Sequence, residues 1–182
     1  MIYHPVTIAR DTVREADELL AALQPLSQKL LFISPNPDCG SRELLQRIQR
    51  FIASRPDDRF ITNVEHDAYL SLLQFLTALV GNSSSGIMEA ASFKLPVVDV
   101  GMRQKGRERG PNVLDCPAER GKIEEAIQAA LSDPFRSSLG ELRNPYGDGH
   151  SSEKIAEILS ELSLSESLLV KAPVPIRESS TT

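Results

Sequence analysis

The densest run of groups able to do chemistry is GNSSSGIMEA, residues 81–90, where three serines stand between two glycines and a carboxylate, Glu89, follows. Hydroxyls in a glycine-bounded turn act either as a nucleophile or as phosphate donors, and the spacing separates the two. A nucleophile elbow needs G-x-S-x-G on a strand-to-helix turn. Ser84 gives Asn82-x-Ser84-x-Gly86, which lacks the first glycine, and nothing singles out a general base for it, although His4 approaches the same sheet edge. A P-loop needs lysine where Ile87 stands, and the G-x-G-x-x-G dinucleotide fingerprint is absent. What survives is a strand, a turn of small hydroxyl residues and a helix start whose free N–H groups favour a phosphate. Ser83, Ser84 and Ser85 add hydroxyls, and Gly86 would let a ligand approach the backbone. A serine-capped buried helix without any ligand is the bland alternative.

Glu89 bears on that choice. A capping box counted from Ser85 would place its carboxylate at Met88, so Glu89 is out of position for capping. One turn into a helix, it suits a cis-diol such as a ribose, or else it simply favours the helix dipole. The stretch GMRQKGRERGPN, 101–112, adds Arg103, Lys105, Arg107 and Arg109 in a chain of net charge -5. Guanidinium groups fork phosphate oxygens, so this is a candidate local anion site. His4, followed by the rigid Pro5, is placed to bond a phosphate or shuttle a proton. His66 and His150 sit in polar helix entries and read as surface residues.

The elements that must position these groups alternate. Short β-rich runs at 1–4, 30–34, 59–63, 78–82, 96–101 and 112–116 are followed mostly by helical stripes: Val13, Ala16, Leu19, Leu20 and Leu23; Leu44, Leu45, Ile48, Phe51 and Ile52; Tyr69, Leu70, Leu73 and Leu76; Ile123, Ile127, Ala130 and Leu131; and Ile155, Ile158, Leu159 and Leu162. Such alternation predicts a Rossmann-like α/β fold, a parallel sheet with helices on both faces. Asp11, Ser41, Asp67 and Ser151 or Ser152 mark helix starts. In an open α/β sheet ligands bind beyond the carboxyl ends of the strands. That rule selects His4, Asn36, the stretch from Val64 to Asp67, the serine run and the basic loop.

Composition narrows the field further. The 182 residues, 41% hydrophobic and 25% charged, suit a soluble domain with a real core, and the acidic balance argues against sequence-independent nucleic-acid binding. No apolar run approaches the length of a membrane span. Cys39 and Cys116 lack zinc-site spacing and read as reduced thiols. With no tryptophan and only 5% aromatic residues, sugar recognition would rest on hydrogen bonds. From about Ser163 the composition turns to Ser, Pro and Thr, which predicts a flexible tail over 163–182 behind a domain over 1–162. The first strand has almost no lead-in, as expected of a domain cut from a longer chain.

YHPVT, SPNPDCGS, the block from GNSSSG through NVLDC, and NPYGDGHSSEKI, in this order, resemble the C-terminal half of UDP-N-acetylglucosamine 2-epimerases, specifically the hydrolysing branch that feeds sialic acid synthesis. The likeness runs over nearly the whole chain apart from the tail, and the long central block is its most specific part. It implies a cytoplasmic enzyme in which two Rossmann-like domains of GT-B type close on a UDP-sugar, with this half holding the UDP. By resemblance Ser83 and Ser84 would bind the diphosphate, Glu89 the ribose, and Arg103 a phosphate, with Arg107 in the same loop. Asn36 and Val64 would lie along the nucleotide, and His4 would reach the diphosphate or reacting sugar. The reaction would eliminate UDP from UDP-N-acetylglucosamine and hydrate the glycal to N-acetylmannosamine, without metal or cofactor. By resemblance an N-terminal partner domain carrying the proton-transfer acids would be missing from these residues, so this polypeptide alone should bind UDP weakly and turn over little. The donor-binding domain of a GT-B glycosyltransferase, a nonhydrolysing epimerase, a regulatory module, and a UDP-2,4-diacetamido sugar as substrate stay open, as does self-association.

Overall fold

The computed structural model describes residues 1–6, 12–165, 168 and 170. They divide into two compact units, Met1–Tyr146 and Gly147–Thr182. The expected Asp11 cap and most of the expected tail lie outside the described residues.

In the first unit every pairing is parallel. Strand β1 (Leu31–Ile33) pairs with β2 (Arg59–Ile61), and β4 (Val97–Val100) lies between β3 (Leu79–Gly81) and β5 (Val113–Cys116). The amino-terminal residues join the two ladders. Ile2 donates to Val80 O and accepts from Asn82 N, while Met1 exchanges bonds with Leu31 O and Ile33 N on the other flank. The resulting order is β2, β1, the segment around Ile2, β3, β4, β5. This is the strand order of a doubly wound Rossmann sheet.

Helices supply the crossovers up to β4: α1 (Thr12–Leu23), α2 (Ser41–Ala53), α3 (His66–Leu73) and the short α4 (Ser84–Met88) between β3 and β4; α5 (Arg120–Leu131) and α6 (Asp133–Ser138) follow the last strand. The second unit contains α7 (Ser151–Glu161). Three of the apolar stripes bury as their period demands, Ala16, Leu19, Leu20 and Leu23 on α1, Leu44, Ile48 and Phe51 on α2, and Ile123, Ile127 and Ala130 on α5, whereas the expected stripe Ile155, Ile158, Leu159 and Leu162 is exposed. With Tyr3, Phe32, Val98 and Val100 they form one cluster, while Ile2, Leu73, Leu79, Ala90, Leu95 and Val97 form another. Neighbouring residues Ile2 and Tyr3, and likewise Val97 and Val98, fall into different clusters. A strand with period two has to distribute its side chains in this way when both faces are covered. Among the described residues no helix is long and apolar enough to cross a membrane.

The helix after β3 differs most from expectation. It lasts five residues, and a 3-10 turn, Ala90–Phe93, takes over from it. Pro96 disfavours helical backbone at Leu95. Lys94, in the left-handed region at φ 53, closes the turn by donating to Ala91 O. Glu89 therefore caps the carboxyl end of α4 instead of sitting one turn into a longer helix.

Candidate functional site

The direction of winding reverses between the amino-terminal segment and β3, which opens a crevice at their carboxyl ends. His4 follows one strand and Asn82 the other, and Asn82 ties them together. Its side-chain Oδ1 accepts from the His4 N–H at 2.7 Å and its Nδ2 donates to His4 O at 2.9 Å. The Asn82 carbonyl receives Arg103 Nη1 at 3.0 Å and Gln104 Nε2 at 2.8 Å. Asn82 is fully buried, so these bonds satisfy groups that would otherwise be costly. Two donors on that carbonyl, one of them cationic, also polarise the peptide that carries the Ser83 N–H and make it a stronger donor.

Ser83 is the cap of α4, its hydroxyl accepting from Ser85 N at 3.3 Å. The cap is thus two residues earlier than Ser85, and the third position after it is Gly86, which still leaves Glu89 without a capping role. Among the described residues the N–H groups of Ser83 and Ser84 have no protein acceptor. A one-turn helix carries little macrodipole, so anion binding here depends on these N–H groups, the hydroxyls and nearby cations.

Gly86 has a different task from the one expected. It is buried, its N–H donates to Ser83 O at 3.1 Å, and a Cβ placed on it would lie 2.8 Å from Val97 Cγ1. Its missing side chain lets α4 rest on the sheet rather than admitting a ligand.

His4 is 7% exposed. Its Nδ1 accepts the Asn36 N–H at 3.0 Å, so in the neutral ring Nε2 carries the hydrogen. Burial, with the charge of Arg103 adding and Asp38 opposing, lowers its pKa to about 4. At neutral pH the ring is then a neutral donor at Nε2. Asn36 contributes through its backbone, and its side chain is exposed. Val64 lies half-buried in the turn between β2 and α3.

The basic loop separates into two kinds of residue. Arg103 reaches the crevice peptide, Lys105 is exposed, and Arg107 Nη1 lies 3.6 Å from Met88 Sδ, beside Glu89. Arg109, expected as a fourth phosphate cation, is instead occupied by Asp99, Asp115 and two loop carbonyls. Burial first, then Asp115, raises Asp99 to about 7, with Arg109 and Arg103 pulling the other way. His66 and His150 are exposed, as expected, and Cys39 and Cys116 are free thiols.

Sequence reasoning missed Tyr69 and Asn144. The Tyr69 hydroxyl is hydrogen-bonded to Ser85 Oγ, and its pKa is raised by burial, with the Ser85 bond opposing and the Glu89 charge adding. Its helical spacing marked it only as core. Asn144 Nδ2 donates to Met88 O at 2.8 Å and to Ser92 Oγ at 2.7 Å, pinning the short helix from outside. The turn-forming NPYG pattern around it was the available signal.

Residues 1–160 match the family described as UDP-N-acetylglucosamine 2-epimerase. The chain belongs to that family. UDP-N,N'-diacetylbacillosamine 2-epimerase (hydrolyzing) of Legionella pneumophila is 34% identical over 172 residues, 94% of this chain and 44% of the relative. Polysialic acid biosynthesis protein P7 of Escherichia coli is 33% identical over 149 residues, 80% of this chain and 38% of the relative. The chain thus spans about two fifths of the length of these epimerase-family relatives. The S. aureus MnaA-UDP co-structure aligns with a TM-score of 0.69 at 19% identity, over 88% of this chain and 43% of that one. UDP-GlcNAc 2-epimerase from Neisseria meningitidis bound to UDP-GlcNAc aligns with a TM-score of 0.60 at 19% identity, over 82% and 41%. At those identities the likeness shows the fold, the Rossmann-like half of a two-domain GT-B arrangement.

Proposed function

We propose that this chain holds the nucleotide of UDP-N-acetylglucosamine in a hydrolysing 2-epimerase. The observation that carries the reading is the convergence of donors on the switch-point crevice. The free N–H groups of Ser83 and Ser84 follow the buried Asn82 in the chain, and Asn82 itself holds the His4 backbone and Arg103. The serine turn and Arg103 take the diphosphate, Glu89 the ribose hydroxyls, and Asn36 and the Val64 backbone the length of the nucleotide, with Arg107 flanking.

In the proposed reaction a base removes the C2 proton, the electron pair forms the C1–C2 double bond, and the C1–O bond breaks as UDP leaves. Water then adds across the glycal, hydroxyl to C1 and hydrogen to C2 on the opposite face, giving N-acetylmannosamine. The donors gathered here serve the departing diphosphate, where fixed dipoles and charge meet the developing negative charge. His4 contributes its Nε2 hydrogen as a donor. None of these groups is placed to act as the C2 base, so we assign that step to the part of the enzyme that the relatives have and this chain does not span. The chain alone should bind UDP without turnover. The hydrolysing outcome is favoured by the Legionella pneumophila relative, whose name also makes a UDP-2,4-diacetamido sugar the second substrate reading.

Calorimetric titration of this chain with UDP tests the assignment. Binding should weaken on Arg103→Ala and on Glu89→Ala; if neither change matters, the site is wrong. Sustained UDP release from UDP-N-acetylglucosamine by this chain alone would overturn the assignment of the base. With the whole enzyme, N-acetylmannosamine formed without any acceptor supports the epimerase, and comparison with the diacetamido sugar chooses the substrate.

A further inference from the structure

The loop from Gly101 to Gly110 contains no helix or strand, yet it has to deliver Arg103 to the crevice. Ordering such a backbone costs about 1–2 kcal/mol per residue. Its internal backbone bonds are few: Lys105 N to Met102 O at 3.1 Å and Arg107 N to Gln104 O at 3.3 Å, with Gly101 N held by Cys116 O at 2.9 Å. Side chains do the rest. Gln104, 2% exposed, is gripped at both ends, by Asn82 O through its amide and by Arg109 Nη2 on its carbonyl at 2.7 Å.

We propose that Arg109 is a positioning residue for nucleotide binding: its guanidinium anchors the Gln104 and Arg107 carbonyls to the carboxyl groups of Asp99 and Asp115, and so fixes the backbone that presents Arg103 to the diphosphate. The inference rests on the UDP reading of the crevice. Arg109 Nε donates to Arg107 O at 3.3 Å, and its Nη1 bonds Asp115 Oδ1 while lying 3.5 Å from Asp99 Oδ2. Asp99 and Asp115 stand opposite each other on β4 and β5, so the anchor is the rigid sheet itself. The Asp99 side chain is 3% exposed and its Oδ2 has no hydrogen bond, which makes Arg109 its charge partner. Arg109 is 21% exposed and spent on protein groups, so it acts on a ligand only through its neighbours. A planar fork reaching two carbonyls and two carboxyls at once is a geometry that lysine, with a single nitrogen, does not reproduce.

The test titrates this chain and its Arg109→Lys, Arg103→Ala and doubly substituted forms with UDP, alongside urea unfolding of each. Arg109→Lys keeps a cation facing Asp99 and Asp115 but loses the fork. It should weaken UDP roughly fivefold to tenfold while the unfolding midpoint stays near that of the parent. In the Arg103→Ala background the same change should have no further effect on UDP, because the group being positioned is gone. Asp115→Asn, at an exposed carboxylate, weakens the anchor from its other side and should give a smaller loss with the same dependence on Arg103. Parental UDP affinity in both Arg109→Lys and Asp115→Asn, or losses that add in full to that of Arg103→Ala, would overturn the proposal. No UDP binding by the parent chain would instead mark the failure of the nucleotide reading, and this inference would fall with it.

Discussion

Acidification should expose how His4 is held. The ring is buried and accepts the Asn36 N–H at Nδ1, and its pKa falls from 6.5 to about 4. At about 1.4 kcal/mol per unit, the neutral ring is favoured in the folded chain by about 3 kcal/mol. The unfolded chain takes up the proton near 6.5 and the folded chain only near 4. Stability from His4 is therefore complete above the higher value and lost as the pH falls through that window. The loss amounts to roughly 2 kcal/mol between about pH 7 and about pH 5. His4→Asn keeps an acceptor for Asn36 and cannot titrate. Urea unfolding followed by circular dichroism at the two pH values should show the parent's advantage over His4→Asn shrinking by that amount, while NMR should show an Nε2-protonated ring. An unchanged advantage, or a His4 midpoint near 6.5, would refute the argument.

Asp99 should tilt the opposite way. Its folded pKa of about 7 stands above the ordinary 3.8, so its stabilising contribution is present at low pH and lost as pH rises through that interval. Asp99→Asn should remove the decline and gain a few kcal/mol at about pH 8, at ~1.4 kcal/mol per unit, read by urea unfolding across pH. Gly86→Ala pushes a methyl to 2.8 Å from Val97 Cγ1 and should cost about 1–3 kcal/mol, with Val97→Ala restoring part of it in the double variant. Tyr69→Phe removes the bond to Ser85 Oγ and should cost about 1 kcal/mol, and adding Ser85→Ala should cost little more, because both changes delete one interaction.

The parts of this architecture legible in the sequence are those enforced by period and burial. The stripes on α1, α2 and α5 had to face a sheet, and Val97, Val98 and Val100 of β4, pointing to both faces, had to be covered on both sides. The strand-end rule then pointed to His4, the serine turn and Arg103, which the structure does bring to one crevice. Illegible were contacts made to carbonyl oxygens, since every residue has one and none announces its partner. Asn82 meets His4 across 78 positions, and the destination of Arg109 cannot be told from its neighbour Arg107 by residue type. Gly86 was misread because a glycine needed for packing and one needed for a ligand look alike until the strand beneath it is known.

Asn82 commits its N–H to Ile2, its carbonyl to Arg103 and Gln104, and its amide to His4. With one residue, through its side chain and its backbone, riveting two strand ends and the loop beyond a third, these groups have little freedom to shift separately. In the proposed enzyme, whatever closes over a bound sugar would have to carry them as a single plate. On the proposed function, nucleotide capture by this chain would then impose little ordering penalty, and its affinity would be expected to respond strongly to any loosening of that rivet.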